Sequence, residues 1–354
     1  MRIRTPIPPP VIWDPARPTL ERAYRVDPRG ERGPTKGQVD GRYWRAVGPG
    51  WFRPVEPPAS VEQRIVEASY RVPHDGGVTG WAALRWLGGR WFTGRDAAGS
   101  LLDIPITVLC THRNHTPGIR QSKERLRPSD LLRVDGLGIT TAVRAVTYEM
   151  RHAESVVAAV SALDMACYND LVSIAEVRAW VEAGKTWTGI QQARDALALA
   201  DENAWSPAEV RFRLLWTQTG ELGPLRCNVP IFDLNGRHLI TPDLFDPEAG
   251  IVGEYQGEHH FEREQRRRDI TRETLLRDHG LEYVERVAGE DRTRFLIRLR
   301  SAYARVARQS SAARRWTLDA PPSWTSTESV VQRRGLTPHQ RKVLLAHRQF
   351  DPAA

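Results

Sequence analysis

Apolar residues recur at helical spacing through the middle of the chain and at strand spacing beyond it. Between 139 and 200, Val143, Val146 and Met150 fall on one helical face, and Val156, Val157, Val160 and Leu163 repeat the pattern. The stretches 173-SIAEVRAWVEAG-184 and 190-IQQARDALALA-200 continue it, which predicts a platform of packed helices. Upstream, a helix is expected from Ser60, where Ser60 and Gln63 form a capping box ahead of Ile65 and Val66. A shorter one is expected over 79-TGWAALRWLGG-89, closed by its glycines. The segment 41-GRYWRAVGPGWFRPVEPP-58 reads as a small hairpin, two aromatic runs around a Gly-Pro-Gly turn. DIPITVLCTH, 103–112, predicts a strand, and 115-HTPGIRQSKERL-126 a loop or basic turn.

A different pattern begins at 206-SPAEVRFRLLWTQTG-220. Ser206 suits an N-cap, Pro207 the first helical position, and Glu209 completes the cap at the third. Strands follow over 226–232, 238–245 and 250–256, then a polar helix over 261–279 that stops at Gly280. A strand at 281–287 precedes a helix in which Phe295, Leu299, Ala302 and Val306 share an apolar face. Beyond 310 periodicity is lost. That predicts a mobile tail over 311–354, with room for one short helix at 337–348. The expected organisation is therefore α+β: a Pro/Gly-rich segment with its hairpin (1–58), a mainly helical region (59–204), a mixed unit (205–310) and the tail.

Composition narrows the function classes. Hydrophobic residues make up 40% and charged residues 27% of the 354, ordinary for a globular protein. No apolar run approaches the roughly 18–20 residues a membrane helix needs. The start, MRIRTPIPPPVIWDP, has no apolar core of a secretory signal, so a cytoplasmic location is expected. Cys110, Cys167 and Cys227 are far apart and form no CxxC pair, which predicts reduced, buried thiols. The net charge of +8 permits a polyanionic partner. Of 51 basic residues only four are lysine, an arginine excess that a coding bias also produces.

The candidate chemistry lies in 241-TPDLFDPEAGIVGEYQGEHH-260. Asp243 ends one predicted strand, and Glu254 and Gln256 alternate on the next, so they project from one face. Asp and Glu on adjacent strands make a set of oxygen ligands suited to Mg²⁺ or Mn²⁺, with the Tyr255 carbonyl as a further oxygen. Glu209 is either an outer ligand or base of this set, or a helix cap alone. Asp243 by itself also fits a strand-end turn, whereas Glu254 is a carboxylate inside an apolar strand, where an unpaired charge is costly. In 262-EREQRRRDITRETLLRDHG-280, Arg266, Arg267 and Arg272 are candidates for phosphate contacts. The same helix also reads as a solvated face laced with pairs such as Glu262–Arg266 and Glu264–Arg268.

Pro242-Asp243 followed by Glu254-Tyr255-Gln256 resembles the PD-(D/E)xK nuclease signature. More narrowly, 206–300 resembles a domain family of unknown function related to the very-short-patch mismatch-repair endonuclease. Glu254, Gly257, His260, Asp269, Arg272, Leu276, Gly280, Arg286 and Val287 match its pattern at the right spacing. The resemblance implies a restriction-endonuclease-like three-layer α/β/α domain and metal-dependent DNA cleavage. In it Asp243 and Glu254 are ligands and His260 is a general acid/base or charge partner near the scissile phosphate. Gln256 departs from the pattern, since the family usually has Asp there and the wider superfamily Lys. Two outcomes stay open: a nuclease, or a nuclease fold kept for DNA binding.

Residues 40–200 more weakly resemble AbiEi-type antitoxin proteins, through the wing-like hairpin, TGWAALRWLGG, the strand near 103–110 and 135-DGLGITTAVRAV-146. That likeness implies a DNA-binding regulator with a toxin partner or a homodimer. However, 14-DPARPTLERAYRVDPRGERGPTKGQ-38 is a poor helix-turn-helix, broken by prolines and glycines.

Overall fold

The computed structural model describes residues 20–56, 60–73, 76–108, 116–183, 186–217, 225–257, 273–308 and 314–349. The architecture is α+β, in two compact units, one within Met1–His152 and one spanning Ala153–Gln349. The boundary falls inside the stretch expected to be one helical platform. Among the described residues no helix is long and apolar enough to cross a membrane.

The first unit opens with a short helix α1 (Lys36–Val39) and the expected hairpin, β1 (Trp44–Gly48) antiparallel to β2 (Trp51–Pro54). Helix α2 (Val61–Ser69) is capped as foreseen, Ser60 Oγ accepting the Gln63 N–H at 3.1 Å. The Gln63 side chain does not close the box. It holds the backbone of Glu21 instead, accepting its N–H and donating to its carbonyl. The remaining elements are β3 (Gly77–Val78), α3 (Gly80–Trp86), β4 (Ile104–Thr107), β5 (Ile119–Ser122), β6 (Leu131–Val134), β7 (Leu137–Thr140) and α4 (Ala142–His152). The strands form a mixed five-stranded sheet in the order β5-β4-β3-β7-β6.

Residues 59–204 carry the expected helices, six among the described residues, and beside them a sheet of which only the strand near 103–112 was foreseen. Its strands are two to four residues long, too short to display an alternating period. The "basic turn" contains β5, which pairs in parallel with β4 from Ile104↔Ile119 to Thr107↔Ser122.

The second unit begins with the predicted helices, α5 (Val156–Tyr168), α6 (Ile174–Ala183) and α7 (Ile190–Leu199), then α8 (Pro207–Thr217). Next come β8 (Arg226–Cys227), β9 (Ile231–Asp233), β10 (His238–Ile240), β11 (Leu244–Asp246), β12 (Ile251–Gln256), β13 (Glu282–Val287) and α9 (Arg292–Val306). Strands β13-β12-β11-β8 form one sheet, with β12 and β13 parallel and the other pairs antiparallel. Helices α8 and α9 cover one face through Phe212, Trp216 and Phe295, whose rings lie 5.4–6.3 Å apart. Gly253 admits this packing, since a Cβ there would sit 2.4 Å from the Trp216 ring. On the other face Phe245 and Val252 join Val229, Ile231, Ile240, Leu276 and Leu281 in a second core.

The predicted strands 226–232 and 238–245 are each broken in two. They form one long hairpin that bends between sheets, β9 and β10 pairing beyond the bend and β8 and β11 before it. Asn228, at φ +47°, makes the bend on one arm, and Thr241-Pro242 makes it on the other. Proline brings no N–H to a ladder, so the strand cannot run straight through it.

Residues 314–349 are not a loose tail. They form a strap: β14 (Trp316–Thr317), α10 (Val330–Arg334), α11 (Pro338–Leu344) and a 3₁₀ turn, Ala346–Gln349. Strand β14 adds to β9, with Trp316 packed edge-on against Phe245 at 5.1 Å. Arg333, with no exposed surface, donates to the Asp170 carboxylate at 2.6 Å and to the carbonyls of Cys167, Glu202, Thr327 and Glu328. The helix foreseen at 337–348 is present as α11, and periodicity missed the rest of the strap because single arginines and tryptophans anchor it rather than an apolar face.

Candidate functional site

The bend in the hairpin makes the candidate site. Asp243 sits at the corner where Pro242 ends one sheet and β11 begins the other. Its Oδ2 accepts the Tyr255 backbone N–H at 2.7 Å, and its carbonyl accepts the Asn228 N–H at 3.2 Å. The Leu244↔Gly253 register sets Asp243 beside Glu254, one step further along both strands. Glu254 and Gln256 lie on the face of Val252 and Phe245, half-buried, while Gly253 and Tyr255 turn to α8. Asp243 therefore lies across from Glu254, with Gln256 two positions further along the same face of β12. Tyr255 contributes its N–H to the corner, where the sequence suggested its carbonyl.

Glu209 reaches the same corner from the first turn of α8. Its N–H donates to Ser206 Oγ at 3.2 Å, the expected cap. The carboxylate returns one residue further than a capping box does, accepting the Trp205 N–H at 2.8 Å, and the same oxygen accepts Asn228 Nδ2 at 2.8 Å. Glu209 is 8% exposed. Burial first, and the negative charge of Asp243 second, push its carboxyl up to about 7, against the pull of the Asn228 and Trp205 donors. Two carboxylates in one desolvated corner repel unless a proton or a cation sits with them.

No family model, curated protein or solved structure matches the chain.

Four residues that sequence patterns did not single out support the corner. Asn203 Nδ2 donates to the carbonyls of Cys227 and Asn228, at 2.9 and 3.0 Å, and Asn228 Nδ2 returns a bond to the Asn203 carbonyl at 2.8 Å. Trp205 Nε1 and Arg348 Nη2 both donate to Asn203 Oδ1, at 3.1 and 2.9 Å. Asn228 had a legible signal, an asparagine ahead of Val-Pro between two apolar runs, where a left-handed residue is common. Asn203 and Arg348 had none, because their partners are remote in sequence, and Trp205, bonded to Asn203 and Glu209 nearby, forms no recognised motif. A fifth, Glu285, stands next to Glu254 in the parallel β12–β13 register, so two acidic residues share that position across the strands.

His260, Arg266, Arg267 and Arg272 lie outside the described residues, as do Asp269 and Cys110. Cys167 and Cys227 are buried and free, and burial lifts both thiols well above their ordinary range. Among the described residues no group of three or more His, Cys, Asp and Glu side chains is gathered as a metal-binding cluster. Asp243 and Glu254 are thus a pair of oxygen donors rather than a closed cage. Such a pair fits Mg²⁺, which keeps several waters and is held through one or two carboxylates plus substrate phosphates.

Proposed function

We propose that the Asp243–Glu254 corner is a divalent-metal site for cleavage of DNA phosphodiester bonds, on a restriction-endonuclease-like core built from α8, the β13-β12-β11-β8 sheet and α9. The observation that carries this reading is geometric: the Glu209 carboxylate, 8% exposed, is held by Trp205 and Asn228 in the corner where the Tyr255 N–H pins the Asp243 carboxylate. An acidic corner of this kind favours a bound cation over a second proton when Mg²⁺ or Mn²⁺ is present.

In this reading Asp243 and Glu254 hold the ion, and Glu209 stands behind as an outer ligand or base. The ion supplies hydroxide from bound water at neutral pH and offsets charge building on the phosphate. Gln256, next along the same face as Glu254, offers an amide N–H₂ to a phosphate oxygen or to water, where a lysine would have added charge. His260 is placed by this reading near the scissile phosphate, and Arg266, Arg267 and Arg272 on the DNA backbone. The net charge of +8 favours such a partner. The neutral Gln256 favours a second reading, a DNA-binding regulator on an inactive nuclease fold.

The test is incubation of the protein with supercoiled plasmid and Mg²⁺ or Mn²⁺. The parent is expected to nick, and Asp243→Ala and Glu254→Ala to fall to background while melting as the parent does. Absence of nicking by the parent in both metals, with DNA mobility shifts intact, would establish the regulator reading instead.

A further inference from the structure

The strap places a buried cation behind the acidic corner. Arg348, in the Ala346–Gln349 turn, is 7% exposed. Its guanidinium lies over the Tyr168 ring, 4.7 Å from the centroid, and 5.8 Å from that of Trp205. Nη1 donates to the Tyr168 carbonyl at 3.0 Å and Nη2 to Asn203 Oδ1 at 2.9 Å. Among the described residues Arg348 has no carboxylate in direct contact, unlike Arg333 or Arg213. A buried charge with only neutral acceptors is costly to keep for anchoring alone.

What the cation fixes is a chain of amides. Asn203 Oδ1 receives two donors, Arg348 and Trp205, so its Nδ2 must face the carbonyls of Cys227 and Asn228. Asn228 Nδ2 in turn lies between two acceptors, the Asn203 carbonyl and Glu209 Oε2. The Asn203 amide thus holds the Asn228 backbone carbonyl, and the Asn228 amide can turn only its Nδ2 to its two acceptors. The Asn228 N–H closes the chain on the Asp243 carbonyl.

We infer that Arg348 is a positioning residue for the acidic corner: by orienting Asn203 it orients Asn228, and through it the Glu209 carboxylate and the Asp243 backbone. The corner is then assembled only when the strap is docked. The inference rests on the metal-site reading above for its effect on the ion, but not for its effect on the amides.

The test follows both effects in the full chain, using Arg348→Met and Arg348→Lys. Mn²⁺ alone is titrated by the loss of its free-ion spin-resonance signal, and the side-chain amide signals of Asn203 and Asn228 are followed by ¹⁵N NMR. Arg348→Met is expected to weaken Mn²⁺ binding about 10-fold, the low end of the cost of losing an outer-shell partner, since Asn203 and Asn228 stand between it and Asp243. It is also expected to shift both amide pairs and speed their exchange. Arg348→Lys, which keeps the charge but not the fork, should show a smaller loss with the same amide pairs displaced. If Arg348→Met does not fold, Arg348→Lys carries the comparison. Unchanged amide signals in a folded variant overturn the inference, as does unchanged Mn²⁺ affinity where the parent binds the ion. A parent that binds no Mn²⁺ overturns the metal-site reading instead, and the amide signals alone then decide the role of Arg348.

Discussion

Two acids in the scaffold, the half-buried Glu149 and the fully buried Asp164, carry separate pH and stability consequences. Glu149, on α4, accepts the Trp81 N–H at 2.7 Å and so caps α3 from across the fold. Gly80, at φ +55°, is required there, because a Cβ would lie 2.2 Å from the Glu149 carboxylate. Burial pushes Glu149 up to about 7, with the Trp81 N–H and Arg120 pulling the other way. A carboxyl whose folded value exceeds its ordinary 4.5 favours folding below that value, and the contribution is lost as pH rises through about 7. Glu149→Gln, which keeps the acceptor and removes the titration, is expected to flatten the fall in urea midpoint between those two values. Asp164 and Arg213 present the opposite case. Burial pushes Asp164 up, yet the two lie 2.6 Å apart and the carboxylate holds Arg213 more firmly charged, so contact with the guanidinium decides and the pair is ionic. Asp164→Asn should cost about 3–5 kcal/mol in urea unfolding, and Asp164→Leu combined with Arg213→Met less than either change alone.

At the scale of elements, helices α5 to α9 were legible because their apolar positions recur at helical spacing. The adjacency of positions 243 and 254 follows from strand alternation and the β11–β12 register. The bent hairpin was not legible. Apolar residues run on through 226–232 and 238–245, and only Asn228 and Pro242 mark where the chain leaves one sheet for the other. The front sheet was hidden by the brevity of its strands, and the Asn203–Arg348 contact by a separation of 145 residues. Gly253 tests the packing between layers. The Trp216 ring is held by its Nε1 bond to the Tyr303 hydroxyl, which donates to Asp246 at 2.6 Å, so the ring cannot withdraw cheaply. Gly253→Ala is therefore expected to cost about 1–3 kcal/mol by overpacking, measured by chemical denaturation.

At the scale of the molecule, the strap changes what counts as the domain. The matching pattern of residues ends before it, yet β14 completes the small sheet, and Arg333 and Arg348 occupy positions inside the unit. Arg333→Met removes five hydrogen bonds and leaves Asp170 with Arg341 as its remaining partner. It should destabilise the second unit by about 3 kcal/mol, read as a lower urea midpoint, if Arg333 anchors the strap. The strap also sets a timetable. Ribosomes add about 5–20 residues each second and domains fold as they emerge. Residues 203–256 therefore leave the ribosome seconds before the arginine that orients them exists. A nascent or prematurely terminated chain carries Asp243 and Glu254 in an unfinished corner. Arrested chains ending before 314 should therefore bind Mn²⁺ more weakly than the released protein.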